Sequence, residues 1–335
     1  MKLLLSRLTQ SLVRNWFLLG MVGVVLLASL LPEIGRSGGI LHAERLSDIG
    51  IALVFFLHGV GISFENLKSG MLRWPLHLVV QTFTFVIFPL LFYPLRALIA
   101  ALFGDSLPPE LILGFLYLCV LPSTISSSVA MTGAARGNVP AAIFNATLSS
   151  LIGIGLTPLL VNLMAHSHAE HLPLLPTMLG IAKLLLLPLL LGQLMRPLIG
   201  SWLRRYETIT NKVDKAVILL LVYTAFCDSV AGGLWTNQGV GMIATTLLGT
   251  GLLLAVVLLL SSFTAARLGF NRADQIAVVF CGSKKTLASG IPMAKLLFGA
   301  HPSLGLIVLP IMFYHQLQLF VCSILAERYA RRTGP

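Results

Sequence analysis

The sequence predicts an all-α polytopic membrane protein of about ten transmembrane helices, set out as two inverted five-helix repeats over residues 1–165 and 166–335. Three observations predict it. Of the 335 residues 56% are hydrophobic and only 10% are charged, where a soluble domain carries roughly 25% charge. Apolar runs of membrane-crossing length recur along the whole chain. Two of those runs are interrupted by polar and helix-breaking residues, at matching places in the two halves.

A hydrocarbon core about 30 Å thick takes roughly 20 apolar residues per helix. On that ruler the first span lies near 15–32, ended by Pro32, the second near 47–63 and the third near 74–95. A broken fourth lies near 109–136, the fifth near 138–164, the sixth near 174–198 and the seventh near 216–233. The eighth lies near 241–266, a broken ninth near 274–298 and the tenth near 303–326. Met1 to Arg14 is basic and runs into the first span with no small-residue cleavage site, so it reads as the lead-in to a helix, not a removed signal peptide.

The net charge of +11 tests this count. Basic residues gather in alternate loops: Lys2, Arg7 and Arg14; Lys68 and Arg73; Arg136; Arg204, Arg205, Lys212 and Lys215; Arg267 and Arg272; Arg328, Arg331 and Arg332. The opposite loops hold few. Positive charge marks the cytoplasmic side, so an even number of spans with both termini in the cytoplasm of an inner-membrane protein is expected. That placement accounts for the charge without nucleic acid; membrane lipid is the expected partner. Cys119, Cys227, Cys281 and Cys322 are scattered in or beside apolar runs with no C-x-x-C pair, which argues against disulfides and zinc. His166, His168, Glu170 and His171 have a metal-like look, but a short polar external loop accounts for them and no further ligands accompany them. No Gly-x-Ser-x-Gly, His-Glu-x-x-His or paired intramembrane aspartates mark an enzyme. No cofactor is expected.

The first interruption runs from Leu121 to Asn138 and holds Pro122, then Ser123, Thr124, Ser126, Ser127 and Ser128. Hydroxyl side chains there satisfy freed backbone groups or coordinate a cation; close helix packing by small residues is the plainer alternative. The second runs Cys281-Gly282-Ser283-Lys284-Lys285-Thr286 and on through Gly290 and Pro292. A lysine in hydrocarbon costs roughly 2.5–3.5 kcal/mol on insertion scales, and chains keep one only where water, an anion or backbone carbonyls meet it. At least one of this pair is expected to face a wet pocket, the other reading being snorkelling to an interface. Pro122 and Cys281 lie at about the same distance from the starts of the first and sixth spans, and such matched interruptions point to a transporter's midplane site. Pro122, Pro140 and Pro292 are candidate hinges. His58 reads as a packing histidine, with a proton relay as the alternative. Lys183 and Asp228 read as a pair or as residues facing a crevice; for Asp228 an interfacial place is the plainer reading.

The stretch from Cys281 to Ala294, with Ala135-Arg136-Gly137-Asn138-Val139 and Phe55-Phe56-Leu57-His58-Gly59, resembles the bile acid:sodium symporter family, in its sodium/bile acid cotransporter 7-like branch. The resemblance covers essentially the whole chain. It implies a panel of helices one, two, six and seven, and a core of helices three to five and eight to ten. Helices four and nine would be unwound and cross, with solute in the crevice between panel and core. By position, Ser127 and Ser128 match sodium ligands on helix four, Asn145 or Thr147 those on helix five, and Gln81 the glutamine on helix three. On helix nine the pattern departs: Cys281 or Gly282 stands where sodium-coupled relatives carry glutamate, and Lys285 and Thr286 stand where they carry polar amides. An ammonium 4 Å from a sodium ion repels it by about 4 kcal/mol at an effective dielectric of 20.

Three alternatives therefore stay open for the lysines: an ammonium replacing sodium, a titrating lysine giving proton coupling, or an anion-binding group. The expected function is alternating-access transport of a small organic, anionic solute, with sodium or a proton as coupling ion. A transport-inactive regulatory or scaffold protein on the same fold is the alternative. Candidate binding residues are Gln81, Ser126, Ser127, Ser128, Asn145, Thr147, Ser283, Lys284, Lys285 and Thr286, with sodium at Gln81, Ser127 and Ser128 where it binds.

Overall fold

The computed structural model describes residues 16–36, 38–104, 107–165, 173–231, 240–299 and 303–332. The lead-in before Trp16 and the cluster from His166 to His171 lie outside the described residues. Among those described the chain is all-helical.

Helix α1 (Trp16–Leu30) is followed by a single turn, α2 (Pro32–Gly35), then α3 (Ala43–Gly61) and a short amphipathic α4 (Phe64–Met71). Helix α5 (Trp74–Thr82) passes through a π-turn (Phe83–Ile87) into α6 (Phe88–Phe103). Helices α7 (Pro109–Val120) and α8 (Ser126–Ala134) are the halves of the first interrupted span, and α9 (Val139–Met164) follows. Helix α10 (Leu174–Ile181) passes through a second π-turn (Ala182–Leu186) into α11 (Leu187–Arg205), then come α12 (Glu207–Ala231) and α13 (Val240–Arg267). The second interrupted span is α14 (Arg272–Gly282) and α15 (Gly290–Phe298), and α16 (Leu304–Arg332) ends the described chain.

Among the described residues five continuous helices are long and apolar enough to cross a membrane: 74–103, 139–164, 174–203, 241–267 and 304–331. Their outward faces carry exposed leucines, among them Leu190, Leu194, Leu198, Leu248 and Leu259. Several helices run past the bounds the apolar ruler sets, α12 starting at Glu207 and α16 reaching Arg332. Backbone hydrogen bonding does not stop where hydropathy falls.

Both π-turns precede a proline at the second position of the next helix, Pro89 and Pro188. Proline has no N–H and its ring crowds the preceding turn, so the helix widens there. In the first π-turn Phe88 N–H bonds the Phe83 carbonyl. The next carbonyl in that register, Thr84's, falls to Pro89 and is left without a backbone donor. Pro140 and Pro292 lie in the first turns of α9 and α15, where proline starts a helix without disrupting it.

The helices pack as two groups. In one, α3 lies along α11 and α12 along α1 and α3; in the other, α16 lies on α7 and α13, with α14 and α15 among them. The α3–α11 contact is backbone on backbone: a Cβ on Gly59 would run into the Leu189 carbonyl, and one on Gly192 into the Phe56 carbonyl. Gln193 Nε2 clasps the crossing, donating to the Gly59 carbonyl at 2.7 Å and the Ile62 carbonyl at 2.9 Å. Gly192→Ala is expected to lower stability by about 1–3 kcal/mol, the usual cost of overpacking. Gly61→Ala, with open space around it, should be near neutral. Melting of the two variants in one detergent checks the difference.

Candidate functional site

The two interruptions lie against each other. From 121 to 125 and from 283 to 289 the backbone leaves the helix, and Thr286 N–H donates to the Pro122 carbonyl at 3.0 Å. Backbone groups freed by the breaks are taken up nearly one by one. Ser123 Oγ donates to the Cys281 carbonyl at 2.7 Å, Ser123 N–H to Ser149 Oγ at 2.9 Å, and Thr157 Oγ1 to the Val120 carbonyl at 2.9 Å. Tyr117 bonds the Gly290 carbonyl at 2.5 Å, and Tyr314 the Ser283 carbonyl at 2.6 Å. Gln318 clamps the peptide of Lys285 from both sides: its Oε1 accepts from Lys285 N–H and its Nε2 donates to the Lys285 carbonyl, each at 2.9 Å.

Both lysines are fully buried, at 0% exposure. Lys285 Nζ donates to the carbonyls of Thr84 at 2.8 Å, Cys119 at 2.8 Å and Leu121 at 2.6 Å, and lies 4.1 Å from the Phe88 ring centroid. An ammonium has three donors, and all three are used. Each acceptor has a local cause. Thr84's carbonyl is the one Pro89 leaves open, and those of Cys119 and Leu121 lie at the C-terminal end of α7, where helix carbonyls lack partners and the dipole is negative. Lys284 Nζ donates to the Ser127 carbonyl at 2.7 Å and lies 5.5 Å from the Phe280 ring. At Lys285 carbonyls stand where the sequence suggests a wet pocket. The breaks that bring the lysines inside also create the acceptors that hold them.

The hydroxyl run divides. Ser126 turns toward α3 and α12, as described below. Ser127 Oγ is buried with no hydrogen-bond partner among the described residues, and Ser128 Oγ reaches the Phe280 carbonyl at 3.4 Å. Ser283 bonds back to the Val279 carbonyl at 2.6 Å. Thr286 Oγ1 accepts from Ser289 N–H at 3.3 Å and from Ser289 Oγ–H at 3.1 Å, closing the loop before α15. Gln81 and Asn145 meet: Gln81 Nε2 donates to Asn145 Oδ1 at 3.2 Å and to its backbone carbonyl at 3.3 Å, leaving Gln81 Oε1 buried without a partner among the described residues. Thr147 bonds only its own helix, at the Ile143 carbonyl. Lys183 lies exposed in the second π-turn.

Beside the crossing, where the two groups meet, Phe55, Leu151, Ile154, Leu185, Leu189 and Met293 with Ser150 and Ser289 line a cleft. Its cavity volume is about 10 Å³, room for a single water-sized group. Two tyrosines, Gln318, Thr84 and Asp214 enter the site without having been singled out in the sequence. Tyr314 and Gln318 carried a signal, a polar i,i+4 pair on one face of an apolar helix.

Ser126 Oγ donates to Asp214 Oδ2 at 3.3 Å and lies 3.2 Å from His58 Nε2, and Asp214 Oδ2 is 3.9 Å from that same nitrogen. This is not a hydrolase triad. There the aspartate orients the opposite ring nitrogen, Nδ1, which here has no partner among the described residues.

An all-helical chain with apolar spans and two interrupted helices in contact at their breaks is built as an integral membrane transporter. It belongs to the SBF-like CPA transporter family, which matches residues 15–331. An uncharacterized protein of Pseudomonas aeruginosa is 45% identical over 316 residues, covering 94% of this chain and 93% of its own. Escherichia coli YfeH, provisionally named a symporter, is 45% identical over 317 residues, covering 95% and 93%. Sodium/bile acid cotransporter 7 of Rattus norvegicus is 33% identical over 321 residues, covering 95% and 93%. The bile acid:sodium symporter resemblance is thereby established, and the family and the last two of these names are those of transporters, not enzymes.

Proposed function

We propose that this chain carries an amphipathic organic solute across the cytoplasmic membrane by alternating access, with both termini in the cytoplasm. Ten spans in two inverted repeats would form it, the α1–α3–α11–α12 group as panel and the other as core. The narrow cleft between the groups supports this reading: its lining is mostly apolar with two serine hydroxyls, and its walls belong to both groups. Opening it requires only that the groups separate. A solute with an apolar body suits such walls. An anionic end is favoured less by Lys285, whose three donors are engaged, than by the N-terminus of α15, whose flanking Ser289 lines the cleft.

Of the three roles open to the lysines, the geometry favours the ammonium as a permanent substitute for sodium. The single observation that carries this is the three-carbonyl cage around Lys285 Nζ. It is what a small cation would coordinate, and a covalently attached charge already fills it. Transport then needs no sodium.

The test is uptake into proteoliposomes of bile acids, the solutes in the relatives' name, and of a panel of amphipathic carboxylates and sulfates, in sodium and in choline media. Equal uptake in both media is expected. A solute at about 100 times its Kd should stabilise the purified protein by about 2.7 kcal/mol. Uptake that requires sodium overturns the cage reading, and neither uptake nor stabilisation across the panel favours the regulatory or scaffold alternative.

A further inference from the structure

The contact between His58, Ser126 and Asp214 joins three elements that belong to both helix groups: α3 and α12 on one side, α8 on the other. It lies at the end of the groups where α3 finishes and α12 begins, the end that also carries Arg204, Arg205, Lys212 and Lys215. Ser126 has one proton to give, and it goes to Asp214 Oδ2, so the arrangement that satisfies its remaining valence has His58 Nε2–H donating to Ser126 Oγ. A one-way relay results, from imidazole through hydroxyl to carboxylate. Two atoms are left over. His58 Nδ1 and Asp214 Oδ1 are buried with no hydrogen-bond partner among the described residues.

We propose that His58 and Asp214, joined through Ser126, form a proton-binding site, and that the proton held there latches the two helix groups together at this end. This rests on the transporter reading and names its coupling ion. The proton enters at His58 Nδ1, the ring nitrogen with a free lone pair, and leaves the relay intact. With it the imidazolium places a positive charge 3.9 Å from Asp214 Oδ2 across the interface; without it that attraction is lost. Protonation therefore favours the closed contact, and proton loss favours its opening.

The charged neighbours leave this assignment intact. Lys212 and Lys215 share the Asp214 turn of α12; Lys212 is exposed, and Lys215, half-buried, makes interactions of its own. On α11, Gln193 presents a neutral amide at the level of Gly59, with Arg196 beyond it and Lys183 well before it. On α8 the nearest charge is Arg136, past its far end. From α14, which packs on α8, Arg272 and Asp274 lie at the helix start. On α16, which packs on both α8 and α12, His315 turns to Gln318, while Glu327 and Arg328 lie near the C-terminus. Lys284 ends on the Ser127 carbonyl, one residue from Ser126. Arg45 and Asp48 lie toward the far end of α3, Asp228 toward the far end of α12, and Glu33 on α2.

All four native cysteines are buried, so spin labels at Leu194→Cys on α11 and Leu259→Cys on α13, both exposed, report the separation of the groups. Electron–electron distances are measured on the full chain in liposomes over about pH 5 to 8, the range where histidine titrates. The short-distance population is expected to grow as pH falls, by up to about tenfold per pH unit, the limit for one proton. His58→Gln and Asp214→Asn should each abolish the response, and Asp214→Glu should retain it. If Asp214→Asn does not fold, His58→Gln decides alone. A pH response unchanged in His58→Gln, or absent from wild-type protein that still takes up solute, overturns the proton site and leaves the transporter reading standing. A normal pH response without uptake of any solute faults the transporter reading instead.

Discussion

Lys285→Met should destabilise the folded chain far more than Lys284→Met, although each removes one fully buried ammonium. The difference lies in what is left behind. Losing Lys285 strands the carbonyls of Thr84, Cys119 and Leu121, which belong to α5–α6 and α7. Losing Lys284 strands the Ser127 carbonyl. A buried unsatisfied polar group costs about 1–3 kcal/mol, so the expected losses are on the order of 3–9 and about 1–3 kcal/mol. Relief of the ammonium's own desolvation offsets part of each. Since a whole fold is worth about 5–15 kcal/mol, the larger loss approaches unfolding. Melting of both variants in one detergent gives the ranking, and equal losses would refute the cage. A sharper control is Lys285→Ala, which opens the cage to a free ion. Sodium or ammonium salts should then stabilise the variant and leave the wild type unmoved.

Gln318→Leu should have the second-largest effect. One side chain holds both the N–H and the carbonyl of Lys285, each at 2.9 Å, in a stretch with no helix to hold them. Leucine fills similar space and serves neither, so two backbone groups are orphaned at about 2–6 kcal/mol together. Gln318→Glu keeps the acceptor and loses the donor, and should fall between. Hydrogen–deuterium exchange over 283–289 reports directly. Faster exchange of the Lys285 amide is expected in Gln318→Leu, with Gln318→Glu closer to wild type; no change in either would mean that the clamp does not hold this peptide.

The all-helical fold, five of the spans and both interruptions were legible because they depend on local properties: apolar length, proline, glycine, and lysines inside apolar sequence. The partners of those lysines were not. Lys285's cage uses a carbonyl opened by Pro89, nearly 200 residues away, and two from the end of α7; nothing in the sequence around residue 285 points to them. Asp214 was missed because it sits in a polar stretch, between Lys212 and Lys215, that hydropathy assigns to a loop. The helix continues through it, beginning at Glu207, and carries the carboxylate to Ser126. His58 read as a packing residue for the same reason: its relation to Asp214 exists only once α3 and α12 lie side by side.

The cage also bears on how the chain is made. A lysine-bearing segment such as 272–298 enters a lipid phase poorly on its own, since an ammonium is costly there without acceptors. Its acceptors at 84, 119 and 121 all precede it in the order of synthesis. By the time the ribosome delivers the second interrupted helix, the receptor for its charge is already present in the membrane. Circularly permuting the two halves would remove that advantage while leaving every contact in the finished protein the same.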